Sequence, residues 1–132
     1  MTGKEFTIGV DIVSINRFKN LDKIENRSLL NKIFTKNELE YCFSKVKAAP
    51  HLAARFAAKE AIIKAVKPLV NNDLNYNEIE GINDKNDSPL INILKKDLEI
   101  YKIDVSLSHS DDNAVAFVTL WSFQTVSYDE KS

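Results

Sequence analysis

The sequence predicts an α+β fold, a small antiparallel β-sheet packed against a long central helix and shorter helices. Two features carry this prediction. Apolar and polar residues alternate with period two over residues 6–13, and again over 103–109 and 114–123 on either side of a polar turn at 110–113. Between them, residues 51–66 form an alanine-rich stretch without glycine or proline, which favours a helix. A chain of 132 residues, 44% hydrophobic, can bury one core and is too short for two ordinary domains. Residues 1–126 are therefore expected to form a single domain and 127–132 a frayed tail.

The first strand sorts Phe6, Ile8, Val10 and Ile12 onto a strongly apolar face and Thr7, Gly9, Asp11 and Val13 onto the other. After Ser14, polar and basic residues mix with spaced apolar ones, a pattern of short helices broken near Asn20 and Asn26. Thr35 and Glu38 have the spacing of a capping box and open a helix running to about Ser44. Pro50 prepares the long helix and Pro68 ends it. Residues 71–77 and 83–88 are polar and turn-prone, and they flank an edge strand near 79–82. Residues 90–94 read as another strand, followed by a helical turn and the final hairpin. No internal repeat is present.

Charge excludes some functions. The 18 basic and 19 acidic side chains nearly cancel, so no overall field favours nucleic acid or a membrane surface, and an electrostatic partner must meet a local patch. No apolar run reaches the ~18 residues of a membrane span. A single cysteine, Cys42, cannot form an internal disulfide, and no signal-like segment opens the chain, which points to a reducing cytoplasm.

Three places break the pattern. Asp11 is a carboxylate within an otherwise hydrophobic strand; it either sits on the wet face of a half-buried sheet or has room beside Gly9 for an ion or ligand. In the long helix, Leu52, Phe56, Ile63 and Val66 form a seam of large apolar residues, and alanines cover most of the other side, so the helix packs on two sides. Lys59 falls inside that seam and Glu60 beside it. One reading sends Lys59 out to solvent and pairs Glu60 with Lys64 one turn on. The other lets Glu60 and Asp11 share a hard cation such as magnesium, with Lys64 meeting phosphate charge. The third place is Ser106-Leu107-Ser108-His109-Ser110, where His109 ends the apolar face of a strand; Ser108 lacks the Gly-x-Ser-x-Gly context of a serine nucleophile, and Asp111 and Asp112 read as turn formers.

Taken together, Gly9-Val10-Asp11-Ile12 with Arg17, Phe34-Thr35 with Glu38, Arg55-Phe56-Ala57-Ala58-Lys59-Glu60-Ala61 with Lys64-Ala65, and Ser106 to Ser110 resemble the holo-acyl-carrier-protein synthase family in order and spacing across almost the whole chain. The resemblance implies the 4′-phosphopantetheinyl transferase fold and a cytoplasmic, magnesium-dependent enzyme of fatty acid biosynthesis. Such an enzyme moves the 4′-phosphopantetheine group of coenzyme A onto a serine of apo-acyl carrier protein and releases 3′,5′-ADP. It implies that Asp11 and Glu60 hold Mg2+ against the pyrophosphate, that Lys64 contacts those phosphates, and that Arg55, Ser108 and His109 help bind the nucleotide. Asp11, Glu60 or a water on the ion could then take the serine proton.

Arg17 alone matches the family pattern as a docking residue for the acidic carrier, and Lys19, Lys23 and Arg27 either extend that basic surface or simply solvate a helix face. The resemblance further implies a homotrimer with active sites at subunit interfaces. Two departures stand out. Lys67-Pro68-Leu69-Val70-Asn71-Asn72 replaces the family's glycines after the long helix, and Asp87-Ser88-Pro89 replaces a Gly-x-Pro turn. The rival readings are a noncatalytic carrier-protein or coenzyme A-binding module of the same fold, which would need neither the two carboxylates nor Lys64, and a magnesium-dependent hydrolase of coenzyme A, which would need no carrier acceptor.

Overall fold

The computed structural model describes residues 5–70 and 73–122. It begins with a ten-residue strand, β1 (Glu5–Ser14). A 3-10 turn (Ile15–Phe18) leads into three helices, α1 (Arg27–Ile33), α2 (Lys36–Phe43) and α3 (Ala48–Val66). A second 3-10 turn (Tyr76–Glu78) precedes β2 (Ile79–Asn83) and β3 (Pro89–Ile93), and a third (Lys96–Leu98) precedes the hairpin of β4 (Lys102–His109) and β5 (Asn113–Ser122). One antiparallel sheet has the order β1-β5-β4, and β2 and β3 form a separate antiparallel pair. The expected tail at 127–132, Phe123 and the pair Asn71 and Asn72 lie outside the described residues.

Local chemistry explains most boundaries. The capping box at α2 forms as expected: the Glu38 amide donates to Thr35 Oγ1 at 3.2 Å and the Thr35 amide to Glu38 Oε1 at 2.9 Å. Helix α3 starts before the expected His51, at Ala48, because Pro50 falls in its first turn, where a missing amide proton breaks no intrahelical bond. Asp87, where the family pattern expects glycine, has φ 63°, in the left-handed region. Its Oδ1 accepts from Asn83 Nδ2 at 2.8 Å and its amide donates to the Asp84 carbonyl at 2.9 Å, which hold the turn without glycine.

The faces of β1 correct the simplest reading of its alternation. Phe6, Ile8, Val10 and Ile12 are 62%, 56%, 53% and 63% exposed, and the face with Thr7, Gly9, Asp11 and Val13 turns toward α3. The helix presents alanine there: Thr7 Oγ1 donates to the Ala65 carbonyl at 2.7 Å, and a Cβ on Gly9 would overlap the Ala61 carbonyl oxygen and come within 2.9 Å of its carbon. Gly9 therefore makes no room for a ligand; it lets strand and helix backbones meet. The core behind them joins Val118 and Leu120 of β5 to Leu52, Ile62 and Ala65 of α3, all fully buried.

Lys59 corrects a second reading. It does not reach solvent but is 1% exposed, and its Nζ lies 2.7 Å from Glu38 Oε1. The ammonium also donates to the backbone carbonyls of Tyr76, at 2.9 Å, and Ile79. Glu38 Oε2 accepts from the Gly81 amide at 2.8 Å, so one ion pair ties α2, α3 and β2 together.

Gly9→Ala tests the contact between β1 and α3. The added methyl should cost about 1–3 kcal/mol or more through overpacking, because the overlapping atom is backbone and cannot swing aside. Chemical denaturation would measure this, and a variant as stable as the parent would disprove the tight approach.

Candidate active site

Helix α3 carries two clusters of polar residues on different sides. The first forms where α3 meets β1. Lys64, one turn after Glu60, donates to Asp11 Oδ1 at 2.9 Å and to the Val10 carbonyl at 3.0 Å. Its side chain is 54% exposed and that of Asp11 18%. The alternative pairing of Glu60 with Lys64 is not among the ion pairs of the described residues. Glu60 Oε2 instead accepts from the Tyr76 hydroxyl at 2.6 Å.

Aromatic packing fixes the far wall of this cluster. Phe18, Phe56 and Tyr76 form a chain with ring centroids 5.7 and 5.3 Å apart, and the Arg17 guanidinium sits 5.2 Å from the Phe56 centroid. The Tyr76 hydroxyl is pushed up to about 12 by its hydrogen bond to Glu60, with burial and the Glu60 charge adding to the effect; Arg17 opposes the shift and Asp11 contributes to it. Asp11, Arg17, Glu60, Lys64 and Tyr76 thus share one electrostatic neighbourhood.

The second cluster lies between α2, α3 and the tip of the β4–β5 hairpin. Ser108, His109, Tyr41, His51 and Asn83 line a cavity of about 240 Å³. Pro50 and His109 also border a larger cleft of about 750 Å³, between the α2–α3 connection, the first 3-10 turn and the hairpin tip. Arg55 stands behind the smaller cavity with its guanidinium carbon 4.2 Å from the Tyr41 ring centroid, and Lys45 Nζ is 4.5 Å from the same centroid. Arg55 Nη2 reaches Asn83 Oδ1 at 3.5 Å, whereas its Nε is buried with no hydrogen-bond partner among the described residues. His51 packs edge-on against Tyr41 at 5.8 Å, and its pKa is lowered by burial first, then by Lys45, Arg55 and His109.

The expected residues therefore fall into two sets: Asp11, Glu60, Lys64 and Arg17 in the first, and Arg55, Ser108 and His109 in the second. No hydrogen bond or ion pair joins the sets among the described residues. Ser108 pairs with Val115 and points with Ser106 to the outer sheet face, beside the exposed apolar residues of β1 and β5. Sequence reasoning missed Tyr76, Tyr41 and His51. Tyr76 had one signal, as the sole aromatic in the polar stretch 71–77.

What the arrangement offers is a cluster of two carboxylates and a lysine, and a cationic, aromatic pocket of the kind that suits a nucleotide. Two carboxylates and a lysine at the first match the needs of phosphoryl chemistry. Among the described residues no group of three or more His, Cys, Asp and Glu gathers to form a closed metal cage. Also among the described residues, no helix is long and apolar enough to cross a membrane.

Residues 7–123 match the model of the 4′-phosphopantetheinyl transferase superfamily. The chain is 41% identical over 118 residues to a holo-[acyl-carrier-protein] synthase of Geotalea daltonii, covering 85% of this chain and 94% of that one. It is 42% identical over 113 residues to the synthase of Thermodesulfovibrio yellowstonii, covering 86% and 96%. Among solved structures, it resembles the Bacillus anthracis holo-(acyl-carrier-protein) synthase in complex with CoA (3′,5′-ADP), with a TM-score of 0.71, 30% identity and 88% and 96% of the two chains covered. The Neisseria meningitidis enzyme gives a TM-score of 0.73 at 33% identity, over 86% and 96%.

Protonation of His51 should weaken the fold. Its folded pKa lies below the ordinary 6.5, so as pH falls through 6.5 the unfolded chain takes up the proton first and stability drops toward the folded value. Denaturation midpoints measured across that window should fall with pH and should flatten in His51→Gln; an equal slope in both proteins would rule out this origin.

Proposed function

The chain belongs to the 4′-phosphopantetheinyl transferase superfamily, and on that premise we propose that it is a holo-acyl-carrier-protein synthase, which transfers the 4′-phosphopantetheine group of coenzyme A to a serine of apo-acyl carrier protein. The observation that carries this reading is the neighbourhood where β1 crosses α3, with Lys64 on Asp11 and Glu60 on Tyr76, which lies within the field of both carboxylates. Its two carboxylates fit Mg2+, which commonly takes one or two carboxylates and completes its shell with waters and substrate phosphates. Asp11 and Glu60 would hold the ion. When bound, Mg2+ supplies positive charge to the pyrophosphate oxygens.

The residues of the chain do the rest. Lys64, half exposed, places a second cation beside the pyrophosphate and favours the charge that builds on the departing 3′,5′-ADP. The carrier serine attacks the β-phosphate; a bond forms to its oxygen, and the bond to the departing phosphate breaks. Asp11, Glu60 or a water on the ion would accept the serine proton. His109 at the cavity rim, with Arg55 behind it and Ser108 bordering it from the outer sheet face, fits the nucleotide end of coenzyme A. Arg17, exposed and stacked beside the first cluster, suits an acidic carrier, and Lys23, Arg27 and Lys36 border a groove of about 240 Å³ that also holds Glu40.

We further infer a homotrimer with sites between subunits. The exposed stripe of Phe6, Ile8, Val10 and Ile12, continued by Phe117 opposite Val10, supports self-association through the outer sheet face. Ser108 at the edge of the same face would then lie close to an interface. Sedimentation equilibrium should give three times the chain mass, and Ile8→Lys should shift it toward a single chain; a monomeric parent would contradict this reading.

The reaction is tested by intact mass spectrometry of apo-acyl carrier protein incubated with coenzyme A, with and without Mg2+. A Mg2+-dependent gain of one phosphopantetheine is expected, with no gain from Glu60→Ala. Arg17→Glu should raise the KM for the carrier more than that for coenzyme A. Tight coenzyme A binding without transfer to any carrier would favour a binding module, and full turnover by Glu60→Ala would remove Glu60 from the site.

A further inference from the structure

Two consecutive residues of α3 grip one tyrosine. Lys59 Nζ donates to the backbone carbonyl of Tyr76 at 2.9 Å, and Glu60 Oε2 accepts from the hydroxyl of the same residue at 2.6 Å. The first contact is anchored in the core, because Lys59 is held by the buried Glu38 carboxylate. The second ends in the cluster with Asp11 and Lys64. Tyr76 is also held from the side by Phe56, and its 3-10 turn is closed by the Asn75 amide donating to Glu78 Oε1 at 2.9 Å and the Glu78 amide to the Asn75 carbonyl at 3.0 Å. Its carbonyl, ring and turn are thus all fixed, and the hydroxyl has one place to point.

The length of the Tyr76 to Glu60 bond is that of a hydroxyl donating to a charged carboxylate. Among the described residues no other group hydrogen-bonds the Glu60 carboxylate, and its Oε1 is left without a hydrogen-bond partner. We propose that Tyr76 is a positioning residue that holds Glu60 by Oε2 and leaves Oε1 to face the divalent cation. This rests on the reading of Glu60 as a metal ligand given above. Outer hydrogen bonds of this kind orient ligating carboxylates, and their loss commonly weakens metal binding about 10–100-fold.

The experiment compares Tyr76→Phe, Tyr76→Leu, Glu60→Gln and the double variant Tyr76→Phe with Glu60→Gln. Mn2+ binding followed by electron paramagnetic resonance serves as a readout without turnover, alongside thermal midpoints and the Mg2+ dependence of kcat and KM. In Tyr76→Phe, which keeps the ring, we expect an unchanged midpoint and Mn2+ affinity lower by about tenfold. The Mg2+ needed for half-maximal rate should rise in step, while the KM for the carrier stays put. In the Glu60→Gln background the Tyr76→Phe change should add nothing. Mn2+ binding by Tyr76→Phe equal to the parent, with Glu60→Gln impaired, overturns the positioning role and leaves the Glu60 assignment standing. A loss seen in Tyr76→Leu but not in Tyr76→Phe overturns it likewise, since the ring and not the hydroxyl would then matter. Parent-like Mn2+ binding by Glu60→Gln itself overturns the reading on which the proposal rests.

Discussion

The ion pair of Glu38 and Lys59 is the interaction from which the rest of the arrangement follows. Taking both charges out of water is expensive, and such a pair survives only when its remaining donors and acceptors are satisfied. Here they are: the ammonium meets Glu38 and two carbonyls, and the carboxylate meets the amides of Thr35 and Gly81 as well as the lysine. Burial lowers the Lys59 pKa, and the carboxylate beside it works in the opposite direction. The pair fixes where α2 caps, where β2 begins and where the Tyr76 carbonyl lies. Those placements, in turn, determine what surrounds Glu60.

Local chemistry made much of this legible before any coordinates. The Thr35–Glu38 box, the alanine-rich α3 and the hairpin turn at 110–113 each have a sequence signature acting over a few residues, and all three form. Asp11, Lys59 and Glu60 were legible as charges in or beside apolar patterns, and Lys64 as the cation one turn after Glu60. Long-range partners were not. Period two sorts the residues of β1 into two faces but does not say which face the helix will choose. That choice is made by the small surface of Ala61 and Ala65, which only a strand with glycine at the crossing can approach. Likewise nothing near Lys59 announces Glu38, 21 positions earlier by subtraction of their numbers, and Tyr76 acquires its partner only when the segment before β2 folds back over α3.

Helix α3 also explains how one element serves two kinds of chemistry. Lys64 meets the carboxylate of Asp11 on the strand and Glu60 meets the Tyr76 hydroxyl, whereas Arg55 faces α2 and β2 among Tyr41, Lys45 and Asn83. A phosphate ester with an aromatic base needs both environments. Cys42, buried next to this second set, takes no part: burial pushes its thiol up to about 12, so it stays protonated and unreactive.

The pairing of β1 has a consequence for assembly of the chain on the ribosome. β1 joins the sheet only through β5, with Glu5 opposite Ser122 and Ser14 opposite Asn113. The strand bearing Asp11 must therefore wait, unpaired, until nearly all the described sequence has been synthesised, while the α2–α3 region can already collapse. Closing so long a loop is slow, and it makes the β1–β5 ladder a late pairing. A nascent chain stopped short of β5 therefore leaves β1 without its strand partner, and its exposed face of Phe6, Ile8, Val10 and Ile12 without the sheet that continues it.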